Sequence, residues 1–491
     1  MLKRHVWHTF PTVPLATRQR WRESTVSFFL ICALFPALSG CERTEELATL
    51  EPGEKLSGGA TSVAKTDSNA FSMPSTNLSS LRRMDFFVGN GFFRNPWKVA
   101  SVQQNARDGL GPLFNTDTCQ GCHIKDGRGH PPTDADEPAV SMLVRLSINP
   151  TAADTYQLER GGVVPEPTYG GQLQDAAIAG HRPEGRVRVE YTEIPMVFSD
   201  RSPISLRKPQ MRIDSLGYGP MHPETQLSAR IAPPMIGLGL LEAISEDDLR
   251  ANAMQQAESS RRISGKVNMV WDDVQGKTVI GRFGWKAGQP NLNQQNSHAF
   301  AGDMGLTSRV LARDDCTKHQ TACQQAMNGG TPEVRDSIVA SILFYTRNLA
   351  VPMRRDVATP QTLRGKALFH QAGCATCHVP SYVTAEAAEP ELSQQKIYPY
   401  TDLLLHDMGD ELGDGRGEYI ADGNEWRTPP LWGIGLTQQV SGHTFFLHDG
   451  RARNLMEAII WHGGEARGSR NAVLQFDQAQ REALISFLNS L

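Results

Sequence analysis

The pentapeptide C-x-x-C-H occurs twice, at Cys119–His123 and at Cys374–His378, and nothing else in the chain constrains its fold as tightly. Two thiols followed directly by a histidine suit one porphyrin. The thiols add to its two vinyl groups, the turn between them brings both sulfurs to one edge, and the imidazole reaches the iron. A redox dithiol needs no histidine after the second cysteine and usually sits in a βαβ setting, which is missing here. A zinc site made from both cysteine pairs would leave two adjacent histidines unexplained. The motifs therefore point to two covalently bound c-type haems. One sits on Cys119 and Cys122 with His123 as iron ligand, the other on Cys374 and Cys377 with His378.

The other cysteines fit an exported chain. Arg18, Arg20 and Arg22 precede an apolar run from Val26 to Leu38, shorter than the roughly 20 residues a membrane-spanning helix takes. The run ends in Leu38-Ser39-Gly40-Cys41, which resembles a bacterial lipoprotein processing site. Residues 1–40 would then be a signal peptide, Cys32 would be lost with it, and Cys41 would carry lipid. An ordinary signal peptide and an uncleaved anchor are the alternatives. The expected place is the periplasm, with the membrane engaged by the N-terminal lipid only. Cys316 and Cys323 lie in a polar loop, where an oxidising compartment favours a disulfide over two free thiols.

A length of 491 residues suggests two or three domains, and a hydrophobic content of 39% is enough to bury a core. Residues 41–80 are rich in Ser, Thr, Gly, Glu and Lys and read as a flexible tether. The text turns aromatic from Phe86 to Trp97, where the folded body is expected to start. Leu113-Phe114 precede Cys119 as Leu368-Phe369 precede Cys374, a repeat that implies two related haem domains, at 81–350 and 351–491. Between the motifs, Val140–Ile148 and Arg186–Ile194 alternate like strands, and Ser245 looks like a helix cap. A helix is expected from Thr331-Pro332-Glu333, with Val334, Ile338, Ile342, Tyr345 and Leu349 on its apolar face. Another should start near Asp477 and bury Leu484, Phe487, Leu488 and Leu491. The fold class expected is mainly α, with two cytochrome c-like haem domains and a mixed α/β insertion in the first. A formal net charge of -4 without basic runs argues against a nucleic-acid partner and is compatible with docking a basic donor protein.

Several longer strings carry a family resemblance. They are Asp108-Gly109-Leu110-Gly111-Pro112-Leu113-Phe114, the run from Ala232 to Ala243, Gly281-Arg282-Phe283-Gly284-Trp285-Lys286, the run from Tyr400 to Gly409, and Phe446-Leu447-His448-Asp449-Gly450-Arg451. Together they make residues 85–491 resemble the bacterial di-haem oxidoreductases sometimes labelled thiol oxidoreductase-like. That family is similar to the di-haem cytochrome c peroxidases and to the di-haem enzyme that matures methylamine dehydrogenase. The resemblance implies reduction of hydrogen peroxide, or another small oxidant, with electrons from a periplasmic donor protein. It implies catalytic roles for Trp285, Gln295 and Asp303, which stand in the order found in the peroxidases, with Asp in place of Glu and closer to the Gln. It implies His462 as the second iron ligand of the C-terminal haem, where the peroxidases carry Met. His448 reads as a residue behind the ligands, His406 and Met408 as outside candidates, and His130 as a loop residue. A calcium ion between the domains is implied without nameable ligands. Two alternatives stay open: an electron-transfer protein with two six-coordinate haems, and oxidation of a partner protein's side chains.

Overall fold

Helix α1 (Ser80–Arg94) begins where the Ser79 hydroxyl accepts the Arg82 amide, a polar side chain satisfying one of the first-turn N–H groups. Strand β1 (Met142–Ser147) follows. Strands β2 (Arg186–Val197) and β3 (Pro203–Asp214) then form a long hairpin, Arg186 opposite Asp214 and Val197 opposite Pro203. Strand β4 (Gln226–Ile231) returns antiparallel to β1, pairing Ile231 with Met142. Helix α2 (Glu246–Glu258) starts under the expected Ser245 cap. Helix α3 (Leu292–Met304) is capped by Asn291 and stops at Gly305, whose φ of 63° closes the last turn in the left-handed region. Helices α4 (Asp336–Arg347), α5 (Pro360–Gln371), α6 (Leu455–Ile460) and α7 (Gln478–Ser490) complete the frame. α7 starts at the expected place under an Asp477/Gln480 capping box and buries Leu484, Phe487, Leu488 and Leu491. The computed structural model describes residues 47–102, 106–134, 137–259 and 263–491. The signal peptide, Cys32 and Cys41 lie outside them. No helix among the described residues is long and apolar enough to cross a membrane.

The expectation of a mainly α chain is corrected. The protein is 31% helical and 18% strand, with seven two-stranded sheets among the described residues. Strands of twelve residues each in β2 and β3 outweigh what a small decorated insertion would hold. Packing also runs through the expected boundary near residue 350. Phe198 and Leu206 of the hairpin region join Leu368, Trp461 and Phe487 in one apolar cluster. Phe71, Ile236, Val351 and Trp432 join in another.

Residues 53–78 are no tether. Glu54 is completely buried between Arg354 and Lys366, with Lys366 Nζ 2.7 Å away. Ala70, Phe71 and Leu78 are in the core. Composition misled here because a buried ion pair and small residues look, in sequence, like a solvated segment. The helix expected from Thr331 starts at Asp336. Val334 N–H donates instead to Thr307 O at 3.0 Å, and Glu333 Oε2 accepts the Thr307 N–H at 2.9 Å, so these residues are strapped outside the helix. All five residues of the expected apolar face are nonetheless buried.

The L-F-x4-C repeat is not a structural one. Leu113-Phe114 form a short strand against Ala176-Ala177, whereas Leu368-Phe369 lie in α5. The true counterpart of Phe369 is Phe93. Gly89 of α1 crosses α4 so closely that a Cβ there would lie 2.2 Å from Ser341 O, and Gly365 of α5 crosses α7 with Ala483 O at 1.9 Å. Four residues after each crossing glycine comes the phenylalanine, Phe93 or Phe369, whose ring centroid is 6.3 Å from that of His123 or His378. Each helix crossing thus sets the position of one C-x-x-C-H histidine.

Candidate functional site

Cys119–Cys122 form a single helical turn under Thr118, whose hydroxyl accepts the Gly121 N–H at 2.8 Å. The turn delivers His123 with Nδ1 2.8 Å from Pro233 O. A carbonyl can only accept, so Nδ1 carries the hydrogen and Nε2 keeps its lone pair. His378 repeats this, Nδ1 lying 2.9 Å from Tyr400 O. Desolvation pushes both imidazoles down to about 4, which keeps them neutral and competent to bind a metal at neutral pH. Desolvation also pushes the Cys119 and Cys374 thiols up to about 12. An attacking redox thiol needs the opposite shift, so these pairs are not poised as dithiols. The thiol reading of the family label finds no support in them.

Each histidine stands on the wall of its own cavity. The cavity beside His378 has a volume of about 180 Å³ and the one beside His123 about 280 Å³. Apolar side chains such as Phe369, Leu431, Leu455 and Leu484 line the first, and Phe93, Met235, Phe300 and Ile342 the second. A neutral imidazole with a free Nε2 beside two thiols and a mostly apolar cavity is a fitting receptacle for a haem. Either set could hold one, with His123 or His378 as the iron ligand.

Helix α3 lays one face along the His123 cavity. Gln295, Ala299 and Asp303, at helical spacing i, i+4 and i+8, all line it. The short sequence distance between Gln295 and Asp303 therefore brings them onto one stripe. Asp303 Oδ1 accepts from Gln172 Nε2 at 2.9 Å. Desolvation raises its carboxyl above the usual range, against the Arg145 charge and the Gln172 hydrogen bond, which pull it down.

The His378 cavity is also lined by His462, with Nδ1 2.7 Å from Ala458 O, the same arrangement that leaves Nε2 with a lone pair. Met408 lines the same cavity. His406 has no lone pair to offer. Its Nε2 is 2.9 Å from Asp402 and its Nδ1 2.7 Å from Glu465; although burial opposes charging, the two carboxylates hold it protonated well above the usual histidine range. His448 also lines this cavity, packed flat on Trp426 with centroids 3.7 Å apart and Nε2 3.7 Å from Asp449. His130 lines neither cavity, and its Nδ1 faces Pro131 O at 2.8 Å. Among the described residues, the one cluster close enough to hold an ion is Cys377, Asp402 and His406. It is not the all-oxygen set that calcium takes.

Between the cavities stands Trp285, which lines both and anchors its Nε1–H on Ile231 O at 2.8 Å. Arg128, Arg427 and Pro429 also line both. Sequence reasoning did not find Pro233 or Tyr400, the two carbonyls that orient the His123 and His378 rings. Their signal was present, since each lies inside one of the long family-like strings, but a backbone acceptor leaves no residue-type signature. Gln172 and Arg145, the partners of Asp303, carried no local signal at all.

Two such receptacles joined at a tryptophan define a two-haem redox protein. The residues from 53 to 491 match the family model described as "Di-haem oxidoreductase, putative peroxidase". The chain belongs to that di-haem oxidoreductase family. Neither a search of curated proteins nor one of solved structures returned a match.

Proposed function

We propose that this di-haem oxidoreductase reduces hydrogen peroxide to water in the periplasm, drawing electrons from a donor protein: H2O2 + 2 H⁺ + 2 e⁻ → 2 H2O. The observation that carries the reading is the pairing of Gln295 and a raised-pKa Asp303 on the wall of the His123 cavity. In this reading Cys119 and Cys122 hold one haem through thioether bonds, and Cys374 and Cys377 the other. The haem iron supplies stored electrons and, at the His123 site, a position for peroxide. Asp303, kept protonated to a higher pH than a surface carboxyl, would move a proton between the two peroxide oxygens as the bond between them breaks. Gln295 holds the peroxide by its amide. His462, whose Nε2 is left free by the Nδ1 contact to Ala458 O, would hold the second haem together with His378 and keep peroxide from it. Trp285 stands on the electron path from the His378 cavity to the His123 cavity. The lipid on Cys41 would keep the enzyme at a bacterial membrane surface.

The test is spectroscopic and kinetic. The ferric protein should show a high-spin band that shifts on adding cyanide or peroxide. Asp303→Asn should lower kcat for peroxide by about 10²–10⁴-fold while cyanide still binds. Purely low-spin spectra in every redox state would remove the peroxidase reading and favour plain electron transfer. Acidified organic solvent should leave both haems on the polypeptide, and loss of colour to the solvent would remove the thioether assignment.

A further inference from the structure

The string Gly127-Arg128-Gly129-His130-Pro131 follows the first haem motif and takes no part in the chemistry above. The backbone there is threaded through a narrow gap. A Cβ on Gly127 would meet Ser441 Oγ at 2.4 Å, and one on Gly129 would meet Ser141 O at 2.4 Å. Between those glycines the Arg128 N–H donates to Ser441 Oγ at 3.0 Å, and the Arg128 carbonyl accepts from His443 Nε2 at 3.0 Å. The main chain is thus clamped on both sides, and the side chain enters the space between the two cavities, lining both.

The guanidinium it carries there is 6% exposed for the residue as a whole, and its Nε and Nη1 have no hydrogen-bond partner. It lies 5.9 Å from the Trp285 ring and 5.6 Å from the Phe446 ring, and no carboxylate among the described residues is in an ion pair with it. The other buried arginines of the His123 cavity are matched differently. Arg230 and Arg416 pair with Glu418 at 2.7 Å and 3.0 Å. Arg427 donates to Gly284 O at 2.8 Å and to Thr428 O at 3.1 Å. Burying a charge without a partner costs several kcal/mol, so a fold retains one only where a counter-charge arrives. A planar fork with five donors is suited to a carboxylate.

We propose that Arg128 is a haem-binding residue whose guanidinium ion-pairs with propionate carboxylate at the junction of the two haem pockets. This rests on the two haems of the family and not on peroxide as substrate. The cation beside the propionate stabilises the reduced haem, which carries one positive charge less on iron, and so raises its midpoint potential. Because Arg128 lines both cavities, the propionate belongs to either haem or to both, and the titration tells these apart.

The experiment is a redox titration of the holoprotein followed by visible absorption, for the parent, Arg128→Gln and Arg128→Lys. In Arg128→Gln the reduced-to-oxidised ratio at a fixed applied potential should fall at least tenfold for one haem or both, a downward shift of about 59 mV for a one-electron couple. A fall in one couple assigns the propionate to that haem, and a fall in both makes the guanidinium a shared partner. Arg128→Lys, which keeps the charge, should stay near the parent. Midpoints unchanged in Arg128→Gln overturn the proposal, and so does an equal fall in Arg128→Lys, which would make the effect one of packing. If Arg128→Gln fails to load haem, resonance Raman of the parent and Arg128→Lys decides. The propionate bending band should move when a guanidinium fork gives way to an ammonium, and an unmoved band overturns the assignment.

Discussion

Two glycines on α1, two positions apart, should respond to the same substitution with opposite signs. Replacing a helix-interior glycine by alanine gains about 1 kcal/mol of helix propensity wherever the methyl has room. At Gly91 the nearest atom to a new Cβ is Asn95 Nδ2 at 4.0 Å, so Gly91→Ala should stabilise the protein by most of that amount. At Gly89 the Cβ would lie 2.2 Å from Ser341 O and 2.7 Å from Tyr345 Cβ. Both are anchored to α4, one of them backbone, so nothing can swing aside, and the helices must part by roughly 1 Å to restore contact. Overpacking of this kind costs about 1–3 kcal/mol, and the clash here is at the upper end. Net of propensity, Gly89→Ala should destabilise by about 1–2 kcal/mol. The effect should also be seen at the iron. α4 carries Tyr345, whose ring is 5.1 Å from Phe93, and Phe93 packs 6.3 Å from His123. Urea unfolding of the holoprotein, followed both by far-UV circular dichroism and by haem absorbance, measures both consequences. Equal stabilisation by the two alanines would refute the close crossing at Gly89 and with it the account of how His123 is placed.

Three further outcomes follow from the geometry. Glu54→Ala should cost about 3–5 kcal/mol, because it leaves Arg354 and Lys366 buried without their carboxylate; a urea midpoint close to the parent's would restore the tether reading of residues 53–78. Burial holds the Asp126 carboxyl up to about 6, against hydrogen bonds from Ser72 and Tyr345. The folded state therefore binds the extra proton, and this group's contribution to stability, full below its ordinary value of 3.8, should be lost as pH rises through about 6. Asp126→Asn should remove that decline, measured as the difference in urea midpoint between pH 4 and pH 7, and an unchanged slope would contradict it. His462→Ala should convert one haem from low to high spin with the His123-side haem untouched, and an unaltered spectrum would pass the ligand role to Met408.

Local chemistry was legible in the sequence wherever a short string is self-sufficient. C-x-x-C-H specifies its own turn, and the Asp477/Gln480 box and the Ser245 cap close hydrogen bonds within three residues. The Cys316–Cys323 disulfide, present with Cα atoms 5.8 Å apart, was also readable, since these two cysteines stand close in sequence and outside both C-x-x-C-H motifs. Helix α4 was legible as a buried face but not as a start point, because Thr307, 26 residues away from Glu333, competes for the first turn. The repeat was misread for a related reason. Leu113-Phe114 match Leu368-Phe369 in spelling, yet only the crossings at Gly89 and Gly365 show which phenylalanine backs which histidine.

The amino-acid order alone determined that two imidazoles would each stand beside a pair of thiols, since those groups are covalent neighbours. Tertiary structure decided everything that depends on what meets them from afar. It supplied the carbonyls of Pro233 and Tyr400 that orient the rings, the alignment of Gln295 and Asp303 along one cavity, the two carboxylates that disqualify His406, and the clamped, unpaired Arg128 between the cavities. Hydrogen bonds and desolvation act across space without regard to sequence separation, so the residues that tune a site are recorded only in the folded chain.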